Sequence, residues 1–288
     1  MMQNVAQLTQ QGKEHMIDLS NCQAEVAAQR AYLEVNGTRL SYLVWGEKGA
    51  PLVLLHGITS SARTWWRVAP ALVALGYQVY AFDMPGHGES DEINDHHIPF
   101  IASLIAQAIR QLGLEKSVLI GHSWGGITAL TLANSSDGEL FSRIVLIDPA
   151  VRIDPAKSPE TLPTFLDGVG EPPEITEPKV RAKNPDWHDC DVAWKLEAFV
   201  QCRADAVRGL FLHSGKWDAS DEFSKLSQPT LLLVADDAYT VIPADLRPKI
   251  QASLPAHVQY LAIPNTTHNM FRGNGYQPTV DAIRSWLS

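Results

Sequence analysis

Three cysteines in 288 residues, at 22, 190 and 202, are too widely spaced and odd in number to frame a disulfide scaffold or a zinc pattern. The one close His–Cys approach, "WHDC" at 187–190, falls short of the four ligands of a structural zinc site, so no metal is expected. Also missing is any apolar run near the roughly 18 to 20 residues of a membrane-crossing helix. The opening "MMQNVAQLTQQGKEHMIDLS" has neither the basic start nor the apolar stretch of a signal peptide, which makes the cytoplasm the expected compartment and excludes a membrane partner. Positive charge is scarce: 23 Lys and Arg against 32 Asp and Glu leave a net charge of −9, and a nucleic-acid partner would call for a basic face. Repeats and low-complexity tracts are absent as well. What remains, 45% apolar and 19% charged, is the make-up of an ordinary globule. The length suits two small domains or one α/β domain with an insertion.

What is present alternates. "AYLEVNGTRLSYLVWG" (31–46) reads as two strands about an Asn-Gly turn, the strongest short hairpin signal. Strand-like runs follow at 51–57, 77–83, 117–121, 143–149, 229–236 and 258–264. Helical stretches lie between them near 63–75, 98–112, 124–135, 244–253 and 278–287. Such alternation means βα units on a mostly parallel sheet buried on both faces. It stops after 151 and resumes near 226. Seven scattered prolines, from Pro155 to Pro185, exclude a long helix before residue 186, and a helix-like stretch spans 191–213. The expected organisation is an N-terminal arm over 1–29, partly helical around 24–29, a core of 30–151 and 223–288, and a cap over 152–222.

The chemistry centres on "GHSWG" (121–125), a G-x-S-x-G pattern between a strand-like and a helix-like run. A sharp turn there holds Ser123 in a strained conformation over the carboxyl end of the sheet, beside the amino end of the next helix. A serine hydroxyl needs a base. His268, in "IPNTTHNMF", follows the last strand and can loop back over that edge. "LLLVADDAY" supplies Asp236 and Asp237 as orienting carboxylates, Asp236 favoured. The remaining histidines read otherwise: His56 and His87 as hydrogen-bonded scaffold, His122 as pointing away from the serine, and His96–His97 as a solvated helix start.

From "YLEVNG" to the C-terminus, cap apart, the chain resembles the α/β-hydrolase fold superfamily. "GHSWGG", the His-Gly loop "LLHGITSS" (54–61) and the turn "FDMPGHGESD" (82–91) carry the likeness. The resemblance implies an eight-stranded, mostly parallel sheet with helices on both faces and a helical cap. It also implies a Ser123–Asp236–His268 triad and an oxyanion hole from the backbone N–H groups of Ile58 and Trp124. Some members draw the acid from the preceding strand, which makes Asp148, in "LIDPA", a third candidate.

The reading is a cofactor-free serine hydrolase that cleaves a small to medium carboxylic ester or lactone through an acyl-enzyme on Ser123. Carbon–carbon bond hydrolysis, amide hydrolysis and haloperoxidase-like perhydrolysis use the same residues in relatives. A small-molecule receptor on the same fold is the rival from outside enzymology. Epoxide hydrolases are disfavoured, because they carry Asp where Ser123 stands. Trp65, Trp66, Trp124, Trp187, Trp194, Phe199, Phe211 and Trp217 suggest an apolar pocket for an acyl or alcohol group. The partner is a small molecule, and the assembly a monomer or homodimer.

Overall fold

The computed structural model describes Cys22 and residues 28–288. Most of the expected arm lies outside the described residues, as do residues 24–27 of the stretch expected to be partly helical over 24–29, and Gln29 opens the first strand instead. β1 (Gln29–Val35) and β2 (Thr38–Trp45) form the expected hairpin. Asn36 and Gly37 turn it at φ 51° and 76°, the paired positive values that match the twist of the strands.

Eight strands make one sheet in the order β1-β2-β4-β3-β5-β6-β9-β10. The inner strands are β3 (Ala50–Leu55), β4 (Tyr77–Phe82), β5 (Ser117–His122) and β6 (Phe141–Ile147), followed by β9 (Thr230–Val234) and β10 (Val258–Ala262). The last six strands in that order pair in parallel, and only the hairpin edge is antiparallel. Alternate residues serve opposite faces. Val53 and Leu55 of β3, with Leu119 of β5, pack against α2 (Ile98–Gln111) and α3 (Trp124–Ala133). Leu52, Leu54 and Ile120 pack against α1 (Val68–Val73) and α9 (Tyr276–Leu287) on the other side. Each such side chain, fully buried, contributes roughly 1.5–3 kcal/mol. α3 is apolar all round and buried along nearly its whole length, as a helix at the centre of a fold must be.

Between β6 and β9 the chain leaves the sheet. A short antiparallel pair, β7 (Arg152–Ile153) with β8 (Trp217–Asp218), brackets four helices. These are α4 (Ser158–Leu166), α5 (Pro173–Lys183), α6 (Asp189–Gln201) and α7 (Ala204–His213). Two of them lie in the stretch whose prolines argued against a long helix. Both are short, with Pro159 and Pro173 in their first turns, where the missing N–H has no partner to lose. The single helical stretch expected over 191–213 is two helices, broken at Cys202 and Arg203. The insertion docks on loops at the carboxyl ends of β3 and β4. Arg203 N donates to Gly86 O (2.9 Å), Arg63 pairs with Glu197 (3.1 Å), and Lys195 bonds Thr59. α8 (Arg247–Ser253) follows β9.

The cysteine reading needs correcting. Cys22 is disulfide-bonded to Cys190 at the start of α6, with Cα atoms 5.6 Å apart, and Cys202 is free and buried. The two partners are 168 residues apart, so only the tertiary fold brings them together and no spacing signals it. "WHDC" serves that junction. The His188 ring accepts from Cys190 N (3.1 Å) and caps α6.

Candidate active site

Ser123 stands between the last residue of β5 and the first of α3 at φ 54°, ψ −116°. A non-glycine residue at positive φ costs of order 1–3 kcal/mol and persists only where the surroundings impose it. Here glycines impose it. A Cβ on Gly121 would lie 2.2 Å from Gly125 O, and one on Gly125 would lie 2.3 Å from Leu55 O. Ser123 N donates to Ile147 O (3.0 Å), and Ser123 O accepts from Ile127 N and Ala150 N (both 3.1 Å).

The His-Gly loop lies against this turn: a Cβ on Gly57 would come within 3.1 Å of Ser123 Cβ. Two neutral histidines lace that loop to the turn after β4. His56 donates from Nδ1 to Gly57 O (2.7 Å) and accepts at Nε2 from Met84 N (2.9 Å). His87 donates from Nδ1 to Pro85 O (2.9 Å) and accepts from Thr59 N (3.1 Å). Burial, the largest influence on both, lowers His56 to about 4 and His87 to about 3. Both are scaffold, and neither ring has a nitrogen left for acid–base work. Asp83, the first polar residue of the same turn, is fully buried and accepts from Ala62 N (2.7 Å) and Arg30 (2.6 Å).

His268 meets a carboxylate, and it is Asp148. Its Nδ1 bonds Asp148 Oδ2 at 2.6 Å. Asp148 follows β6 directly, sits at φ 41° and is fully buried. Such a carboxylate must be satisfied on all sides. Ala235 N (3.3 Å) and the Thr240 hydroxyl donate to Oδ1, and Val241 N (3.1 Å) donates to Oδ2. Asp236, the favoured acid of the sequence reading, has no contact with His268. It accepts from Ala238 N and Asn265 N, both at 3.1 Å, and these bonds hold its carboxyl below the usual range. Its place is structural: it ties the loop after β9 to the loop that carries His268. Asp237 is exposed and paired with Arg247. His122, expected to point away from the serine, packs its ring against that of His268, with centroids 4.6 Å apart. Its Nε2 bonds His268 O (2.9 Å), and its ring meets Phe271 edge-on (4.9 Å).

Ile58 stands between Gly57, which touches Ser123, and Thr59. Trp124 opens α3, where a first-turn N–H has no acceptor within the helix. Two residues of the site were missed in the sequence. Lys195, on α6, donates from Nζ to Thr59 O (2.7 Å) and to Thr59 Oγ1 (2.9 Å). Arg272, almost fully buried four residues after His268, donates to the Thr64 hydroxyl. A lysine in an amphipathic helix reads as solvated, and nothing local marks it otherwise. The expected apolar pocket changes accordingly, because cations cover three of its aromatic faces. Lys195 lies over Phe199 (4.0 Å), Arg272 over Trp187 (4.3 Å) and Arg63 over Trp194 (4.7 Å).

The alpha/beta hydrolase fold family model matches residues 50–273. The chain belongs to the alpha/beta hydrolase fold family. Among curated members of that family, this hydrolase is 31% identical to an N-formylmaleamate deformylase of Pseudomonas putida over 231 residues, 77% of this chain and 85% of the relative. It is 32% identical to bifunctional epoxide hydrolase 2 of Sus scrofa over 117 residues, 40% of this chain and 21% of that one. The solved N-formylmaleamic acid deformylase Nfo from Pseudomonas putida S16 superposes with a TM-score of 0.73 at 25% identity, covering 88% of this hydrolase and all of that chain. Among the described residues, no helix is long and apolar enough to cross a membrane.

Proposed function

We propose that the chain is a serine hydrolase working through Ser123, His268 and Asp148. Ser123 Oγ attacks an acyl carbonyl while His268 takes its proton, and the same proton then goes to the leaving group. Water, activated by His268, clears the acyl-enzyme. Asp148 fixes the imidazole tautomer: with Nδ1 engaged, Nε2 is the nitrogen left for the hydroxyl. The Ile58 and Trp124 N–H groups hold the tetrahedral oxyanion. The chemistry asks for no cofactor, and the 152–222 insertion acts as the cap over the site. The observation that carries this reading is the 2.6 Å His268–Asp148 bond, set beside a serine at positive φ.

The expected substrate class is a small to medium carboxylic ester or lactone. Amide hydrolysis is the second reading, supported by the deformylase relative at 31% identity over most of both chains. Reaction with a fluorophosphonate followed by mass mapping tests the mechanism. A single adduct on Ser123, lost in His268→Ala, is expected. Folded protein that neither labels nor turns over acetate, butyrate or formamide substrates would overturn it.

A further inference from the structure

A cavity of about 240 Å³ lies between α5, α6 and the loop that carries His268. Lys195, Trp187, Phe199, Asn184 and Asn269 line it, with Lys179 and Lys183 at its α5 wall and the Asp167 carboxylate beside those two lysines. Two of these residues tie the cavity to the active site's own loops. Asn269 is the neighbour of His268, and Lys195 bonds Thr59, the residue after Ile58. The cations are not equivalent. Lys179 and Lys183 are matched by Asp167 at 2.8 and 3.0 Å, and Lys179 also by Glu171 at 3.1 Å. Arg272 has the buried Asp191 in its vicinity. Among the described residues, Lys195 has no carboxylate within ion-pair distance.

Lys195 is partly buried, and a cation drawn even partly out of water with no counter-ion beside it carries a desolvation cost. If Lys195 served only to hold Thr59, a neutral donor would hold it without that cost. Two of its three ammonium N–H groups reach Thr59, and the third remains. We propose that Lys195 anchors a carboxylate subsite, and that the substrates are small acyl compounds bearing a free carboxylate a few bonds from the scissile carbonyl. The position of that carbonyl rests on the serine-hydrolase reading above. A carboxylate fits better than a phosphate, which would ask for a fork of donors: the lining offers one ammonium N–H, the Asn269 amide and the one Asn184 amide N–H not committed to Val180 O. Burial, with Arg272 adding repulsion, lowers Lys195 to about 7, so an arriving anion supplies the charge that the fold withholds.

The test compares monomethyl succinate with methyl 4-methylpentanoate, in which an isopropyl group of similar shape replaces the carboxylate. The wild type should prefer the acid by about tenfold or more in kcat/KM, the usual worth of one charge-assisted hydrogen bond. That ratio should collapse in Lys195→Met and recover in part in Lys195→Arg. Calorimetry of succinate with the wild type, and with Lys195→Met that melts like it, reads the subsite apart from the chemistry. Ser123 labelling with equal use of both esters and no succinate binding would overturn the subsite and leave the hydrolase standing. Succinate binding that depends on Lys195, without any labelling of Ser123, would overturn the hydrolase and the substrate claim together. Should both lysine variants fail to fold, the wild-type ester ratio and succinate titration decide alone.

Discussion

Two carboxylates at the ends of neighbouring strands carry different duties, and single-atom changes separate them. Asp148→Asn keeps the shape but gives His268 the wrong tautomer, and kcat should fall by about 10⁴-fold. Asp236→Asn weakens a tie to the backbone at Asn265 without touching the His268–Asp148 bond, and kcat should stay within about a few-fold. Steady-state rates on one nitrophenyl ester decide, and equal losses in the two variants would reject the assignment. Lys195 carries a second prediction. It faces Arg272, Lys183 and Cys202, and its protonated form, the one that pairs with a carboxylate, predominates below about pH 7. The acid-to-neutral ester ratio of kcat/KM should therefore fall above pH 7, by up to about tenfold per unit, until it reaches the Lys195→Met value; a ratio flat from pH 6 to 9 would contradict it. Ser123 and His268 were legible in the sequence because each carries a local signature, an elbow or a strand-end loop. Asp236 and Asp148 were not separable, because both follow a strand on the same edge and only the path of the 235–241 loop decides which meets the ring. Lys195 gave no sign at all: its burial is made by the insertion's docking, which no residue pattern around it encodes.

Elements legible by period came out close to expectation, the strands most of all. Half of what holds the elbow is visible as glycine. Gly121 and Gly125 are there because helix α3 and strand β3 pass too close for a Cβ, with backbone atoms 2.2 and 2.3 Å from where it would stand. Backbone cannot yield as a side chain can. Gly125→Ala should destabilise by about 2–4 kcal/mol and remove Ser123 reactivity, read by chemical denaturation and fluorophosphonate rate. A variant with wild-type stability and labelling would show that the approach is not tight. The prolines misled only about extent: Pro159 and Pro173 favour a helix starting at them, and the short helices even run through Pro163 and Pro178, each losing a backbone hydrogen bond there, so the insertion is helical in short pieces.

At the scale of the whole molecule, three neutral buried histidines set a pH limit. His56, His87 and His122 are all held below the ordinary 6.5, chiefly by burial. Unfolded, they take up protons as pH falls below about 6.5, while the folded chain does not. Stability is thus lost on acidification from 6.5 towards 4, by about 1.4 kcal/mol per histidine per pH unit. Urea midpoints at pH 7, 6 and 5 test this, and an unchanged midpoint would reject it. The Cys22–Cys190 bond is checked by thiol counting. Denatured, unreduced protein should show one free thiol, that of Cys202, and reduction should cost about 2–4 kcal/mol. Three free thiols would mean the bond does not form and would keep the cytoplasmic expectation; one would favour an oxidising compartment. Last, the place of Asp148 shapes how such a protein can diversify. The proposed nucleophile, acid and anion-holding loop all precede Arg152, where the chain departs into the insertion, and of the proposed catalytic groups His268 alone comes after it. On the reading proposed above, the insertion is an exchangeable cassette: grafting another sequence between β7 and β8 would replace Lys195 and most of the cavity lining, and with them the proposed carboxylate subsite, while Ala235, Thr240, Val241 and His268, which bond Asp148, lie outside the graft.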